Sequence, residues 1–297
     1  MNNYDLQFFA AESNLITSAD IEPAISIDFV SRITSNINAL REVLGITNMI
    51  AMPEGTQIKI YKASVENTPS QVGEGETIPL TKVTRKLAKT ETLTLKKFRK
   101  AASAESITTN GYENAINITD DKLVQNVQKG IKSDFFSLIE TGTGTATGTS
   151  LQKTLADCWN KLQTVFEDED VNTVYFISST DAADYLGSAN ISTQNAMGLT
   201  YVEDFLGLGT LIVSPKITAG KVVATAKENL NGAYIPANSS ALSRAFSLTS
   251  DETGFVGMTH QSKTENATVE TLLLSGVLFY PERLDGVIVG TITSAGA

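Results

Sequence analysis

The chain has 297 residues, 41% hydrophobic and 19% charged, with 23 Lys and Arg against 33 Asp and Glu for a net charge of -10. This length accommodates about two domains, the composition excludes wholesale disorder, and the acidic balance excludes a protein built to coat DNA or an anionic membrane. A single cysteine, no Lys or Arg before Arg32 and no apolar run longer than Thr271 to Tyr280 exclude an internal disulfide, a basic signal-peptide start and a membrane helix of ~20 residues, so the expected address is a cytoplasm.

Up to about Pro23 the chain is polar and reads as an extended arm. Val30, Ile33, Ile37, Leu40 and Leu44 then recur at steps of three and four, one face of an amphipathic helix ending near Gly45. From Gly55 the pattern turns strand-like, with Ile58 and Ile60 alternating with polar residues. "ENTPSQVGEGETIPLTKV", Glu66 to Val83, has the Gly and Pro of a hairpin tip, and the Thr- and Leu-rich arm after it returns as a strand. Gln57 to Lys100 is thus expected to form a two-stranded projection. Such a ribbon cannot bury enough apolar surface alone, so it needs a surface to lie on, expected to be another subunit.

A short helix is expected near "SAESITTNGYENAINI". Leu123, Val127, Ile131, Phe135 and Leu138 then predict a long helix, with Thr119 as N-cap and Asp120 and Asp121 at its positive end. "ETGTGTATGTS", Glu140 to Ser150, follows, and after it Leu151, Leu155, Trp159, Leu162 and Phe166 share a helical face. Beyond, "NTVYFIS" reads as a buried strand, "STDAADYLG" as a capped helix and "SSALSRAF" as a helix. "GTLIVSP", "GKVVATA" and "GAYIP" read as short strands, and "ATVETLLLSGVLFYP" and "DGVIVGTIT" as longer ones. No repeat at a fixed period is visible.

The candidate chemistry is thin. The Gly/Thr stretch lacks the lysine and the preceding strand of a phosphate loop, so Gly142, Gly144 and Gly148 read as a hinge between two bodies. His260 is the one histidine, and no G-x-S-x-G lies near it; Cys158 sits beside Trp159 on an apolar helix face, where a thiol is a small core residue. One Cys and one His cannot build a zinc site, and Glu167 to Asp170 lacks calcium-loop spacing and reads as a solvated turn. Charge is most uneven in Lys82, Arg85, Lys86, Lys89, Lys96, Lys97, Arg99 and Lys100, eight of the 23 basic residues. With Phe98 as the one interleaved aromatic, the segment suits an acidic face of a neighbouring copy better than nucleic acid.

The order of these pieces resembles the major capsid proteins of tailed bacteriophages, with their Hong Kong 97-type fold. "VGEGETIP" with its downstream "RKLA" is similar to that family's E-loop to P-domain junction, and "NNYDLQFFA" to the start of many phage structural proteins. The resemblance implies an α+β fold: an N-arm over 1–48, an E-loop over 49–100, a P-domain with a spine helix over 101–149, an A-domain over 150–247 and P-domain return strands over 248–297. It implies a structural shell protein rather than an enzyme, with no cofactor or metal. Its partners would be its own copies, as pentamers and hexamers in an icosahedral shell, with a portal protein and packaged dsDNA, and no membrane. It would reside in the virion, and in the host cytoplasm during assembly. Inter-subunit contacts would come from the eight basic residues and from Glu74 and Glu76 of the loop tip.

The family's founding member carries a long N-terminal scaffolding segment. Here the arm helix begins within thirty residues, so a separate scaffolding protein is expected. That member also crosslinks an E-loop lysine to an asparagine with help from a glutamate. Counted back from "GTI", those last two places fall near Ala267, beside Asn266, and Leu274; no acid fills the second, and no crosslink is expected. The alternatives are an encapsulin shell around protein cargo and, from another class, a cytoplasmic hydrolase using Cys158 and His260.

Overall fold

The computed structural model describes residues 18–46, 48–66, 82–166, 171–187, 193–196, 199–250 and 252–293. Its helices are α1 (Ser18–Leu44), α2 (Ala104–Asn110), α3 (Tyr112–Ile139), α4 (Leu151–Val165), α5 (Ser179–Leu186) and α6 (Ser240–Phe246). The first strands are β1 (Met49–Ala51), β2 (Gln57–Glu66), β3 (Lys82–Thr92), β4 (Lys96–Ser103) and β5 (Gly144–Gly148). There follow β6 (Thr173–Ile177), β7 (Gln194–Ala196), β8 (Leu199–Val202), β9 (Thr210–Val213), β10 (Lys221–Ala226) and β11 (Leu230–Tyr234). The last are β12 (Thr249–Ser250), β13 (Val256–Lys263), β14 (Thr268–Ser275), β15 (Val277–Pro281) and β16 (Val287–Ile292).

The five apolar residues of the expected first helix are all buried along α1. Helix α1 already includes Pro23, so the residues from Ser18 on are helix where an arm was expected, and 1–17 lie outside the described residues; the proline's missing N–H costs that helix one bond. Helix α3 is 28 residues, about 42 Å at 1.5 Å per residue. It starts at Tyr112, after Gly111 at φ +80°, a left-handed turn that divides α2 from α3. Thr119 is therefore no N-cap. Its hydroxyl instead donates back to the carbonyl of Ala115, one turn earlier. Phe135 of α3 meets Phe176 of β6 and Phe279 of β15 edge-on, at 5.5 and 6.3 Å between ring centres. The spine helix thus lies where two sheets meet.

The largest sheet among the described residues has the order β5-β16-β10-β6-β9-β8-β7, and α4 packs on it through Leu151, Leu155, Cys158, Leu162 and Phe166. Trp159 does not join that face and is 38% exposed, because Cys158 takes the inward position in the turn between Leu155 and Leu162. A four-stranded sheet, β12-β13-β14-β4, lies against α1 and α3, and β1-β11-β15 forms a third. The expected boundaries at 149 and 248 are crossed by sheets. Strands β5 and β16 pair within the 150–247 lobe, whereas β11 pairs with β15. The long run "ATVETLLLSGVLFYP" also divides at Gly276, β14 and β15 going to different sheets.

Strands β2 and β3 form a two-stranded sheet, in antiparallel register from Gln57↔Thr92 to Glu66↔Lys82 with a bulge between Ile60 and Tyr61, and one isolated bridge joins Tyr61 to Arg283. The ribbon ends at Thr92 rather than Lys100. Buried Leu93 closes its base, its N–H donating to the Thr56 carbonyl and its carbonyl accepting from Gly55. After Leu93 the chain crosses to β4, which pairs with β14.

Candidate assembly surface

The basic residues divide by strand and by face. On β4 the side chains alternate: Lys96, Phe98 and Lys100 turn toward α3, and Lys97 and Arg99 stand exposed. Lys96 pairs with Asp134 of α3, Arg99 with Glu270 of β14. On β3, Lys89 pairs with Glu91 at 3.0 Å and donates to the Thr141 hydroxyl. Of the eight residues expected to face a neighbour, Lys89, Lys96, Arg99 and Lys100 thus have an ion-pair partner inside the chain. Lys86 and Lys97 are exposed, without an ion pair among the described residues. Lys82 and Arg85 lie on β3, and Glu74 and Glu76 lie outside the described residues.

Lys100 belongs to a buried cluster that no sequence pattern announced. Its Nζ lies 2.7 Å from Asp120 Oδ1, and His260 Nε2 lies 2.9 Å from Asp120 Oδ2. The side chains are 17%, 0% and 3% exposed for Lys100, Asp120 and His260. Register explains the meeting. Lys100 stands opposite Thr271, and Thr271 opposite His260, so the three form one row across β4, β14 and β13, with Asp120 reaching it from α3. An ionised carboxylate only accepts, so His260 donates from Nε2. Lys100 also donates to the Ile116 carbonyl at 2.7 Å and to the Thr119 hydroxyl. Burial pushes the Lys100 ammonium below its ordinary range, against the hydrogen bond and charge of Asp120. The cluster ties the spine helix to the sheet. Asp120 is thus no exposed helix-dipole residue.

The hydrolase pairing is not assembled. His260 faces Asp120, while Cys158 lies in the separate core under α4, where burial pushes its thiol up to about 12. That is the opposite of an activated nucleophile. Leu274 is buried, and Asn266 accepts a hydrogen bond from the Thr268 hydroxyl. The acidic run Glu167 to Asp170 lies outside the described residues.

The Gly/Thr stretch is corrected as well. Gly144 to Gly148 is a strand, paired in parallel with β16. None of Gly142, Gly144 and Gly148 has a positive φ. A Cβ would come within 2.5 Å of the Val287 carbonyl at Gly142, 2.2 Å of Ile288 Cδ1 at Gly144 and 2.5 Å of the Thr154 nitrogen at Gly148. These glycines serve close packing, not backbone freedom. Two carboxylates brace the adjoining turn: Glu140 accepts from the Thr218 N–H and hydroxyl, and both oxygens of Asp181 from the Gly220 N–H.

No family model matches the chain, and no curated protein matches it in sequence. Solved structures do match its fold. The capsid of an empty GTA particle aligns at TM-score 0.55 and 12% identity, covering 86% of this chain and 90% of that one. The SrpI encapsulin of Synechococcus elongatus PCC 7942 aligns at 0.53 and 11%, over 84% and 86%. The mature capsid of bacteriophage PhiM1 aligns at 0.51 and 8%, over 84% and 86%. This chain has the Hong Kong 97-type capsid fold, with mixed helices and sheets in an α+β arrangement.

Proposed function

We propose that this chain is the major capsid protein of a tailed bacteriophage, assembling as pentamers and hexamers into an icosahedral shell around dsDNA. The observation that carries the reading is the β2–β3 ribbon, whose strands find no third strand among the described residues. The base of the ribbon packs on this chain's own core through Ile58 and Ile60; beyond the bulge a two-stranded ribbon is marginal in water and gains stability from a surface beneath it, which in a shell the neighbouring subunit would supply. The fold supports the same reading, through capsids that share it at low identity. The ribbon and N-arm would absorb the differences between pentamer and hexamer positions, since Gly144 to Gly148 is committed to a sheet. A separate scaffolding protein and a portal protein complete the proposed partners, with residence in the virion and, during assembly, in host cytoplasm. With leucine rather than an acid at 274, the subunits would be joined without covalent crosslinks.

The likeness to the SrpI encapsulin supports a second reading, a shell around protein cargo. Particle contents separate the two. Purified particles treated with nuclease, then disrupted, are expected to release protected dsDNA. Particles that hold a defined protein and no protected nucleic acid would establish the encapsulin reading instead.

A further inference from the structure

Beyond its bulge the ribbon sets Lys62 directly opposite Lys86, both exposed. Directly opposed residues of an antiparallel pair share a face, and like charges there work against the pairing. Neither lysine has an ion-pair partner among the described residues, whereas Lys89, Lys96, Arg99 and Lys100 all do. Tyr61 and Leu87, the pair next to them, occupy the opposite face, where Leu87 is 53% exposed. Charge separates the ribbon from the rest of the chain. Its paired strands, residues 57–66 and 82–92, hold Lys59, Lys62, Lys82, Arg85, Lys86 and Lys89 against Glu66 and Glu91, a charge of +4; with Glu74 and Glu76 between them, residues 57–92 carry +2 and leave -12 for the remainder of a chain at -10.

Resting on the shell reading above, we propose that the Lys62–Lys86 pair docks on a carboxylate-bearing surface of a second copy of this chain, and that docking relieves the repulsion within the pair. The free subunit then carries a ribbon strained beyond its bulge, and the assembled subunit a neutralised one. Opposed lysines also guard the strand edges beyond the Tyr61–Arg283 bridge against pairing with the wrong chain before assembly. Salt screens both the repulsion and the docking, so ionic strength tunes assembly through this pair.

The test compares full-length wild type with Lys62→Gln and Lys62→Glu, each expressed in the setting that yields wild-type particles. Two quantities are measured: particle yield on velocity gradients across a sodium chloride series, and the thermal midpoint of the unassembled subunit. Lys62→Glu, which can pair with Lys86, is expected to hold or raise the midpoint while particle yield falls several-fold. Lys62→Gln is expected to lower yield and flatten its salt dependence. If both variants assemble like wild type at every salt concentration, the docking role is overturned. If they assemble normally but lose affinity for a short dsDNA fragment that wild type binds, the partner is phosphate and the assignment to a second copy is overturned. Wild type that forms no particle in any setting overturns the shell reading itself, a separate outcome.

Discussion

Asp120 shows what one residue can decide. It is fully buried, with Lys100 and His260 as its cationic and donor partners. Removing one member of a buried ion pair leaves the other charge without compensation. Asp120→Ala is therefore expected to cost about 3–5 kcal/mol of stability in urea unfolding. A loss under ~1 kcal/mol, the range of exposed pairs, would contradict the cluster's role. Asp181 makes a different prediction. Burial is the largest cause acting on it and raises its carboxyl above the ordinary value, while the hydrogen bond from Gly220 lowers it. The folded state then binds protons more readily than the unfolded one. The group's contribution is most favourable below the unfolded carboxylate value and is lost as pH rises through the raised folded value. Asp181→Asn keeps an acceptor for Gly220 and loses the titration, so the urea midpoint of wild type should gain on the variant as pH falls from neutral. A constant difference would contradict this. Neither residue was legible as such. Asp120 read as a helix-start residue because its partner in sequence number 260 is set by strand register, which a linear pattern does not carry.

At the scale of elements, periodicity was readable wherever one face is buried and the other solvated. α1 and α4 carry a clear stripe, and the five residues of β6 form a continuous buried run. β13 carries no such signal, because its apolar Val256 and Met258 are interrupted by Gly257 and Thr259 and followed by polar residues. The Gly/Thr stretch read as a hinge because a strand of small residues packed at close quarters has the composition of a flexible loop. The two readings differ in what a methyl group does. In a flexible linker Gly→Ala removes unfolded-state freedom and is neutral or stabilising. At Gly148 the methyl would meet the backbone of α4 at Thr154, and Gly148→Ala is expected to destabilise by about 1–3 kcal/mol in thermal or urea unfolding. A stabilised variant would restore the hinge. The ribbon itself was legible from Gly and Pro at its tip and alternation in its arms; its true end at Thr92 was not, because it is fixed by Leu93 entering a distant core.

For the whole molecule, sequence order alone suggested the fold, and the capsid structures share it at identities where sequence comparison finds nothing. What a single subunit leaves open is the surface that its ribbon meets. The proposed docking rests on ribbon strands that carry +4 on a chain of net -10, a charge that an acidic surface of a second copy would complement. Assembly is tested by electron microscopy of gradient-purified protein, expressed with its neighbouring genes. Closed shells are expected, with maps that show five- and six-membered rings and each ribbon lying on the adjacent subunit. A chain that sediments as a monomer under those conditions, or shells whose ribbons touch no neighbour, would contradict that expectation.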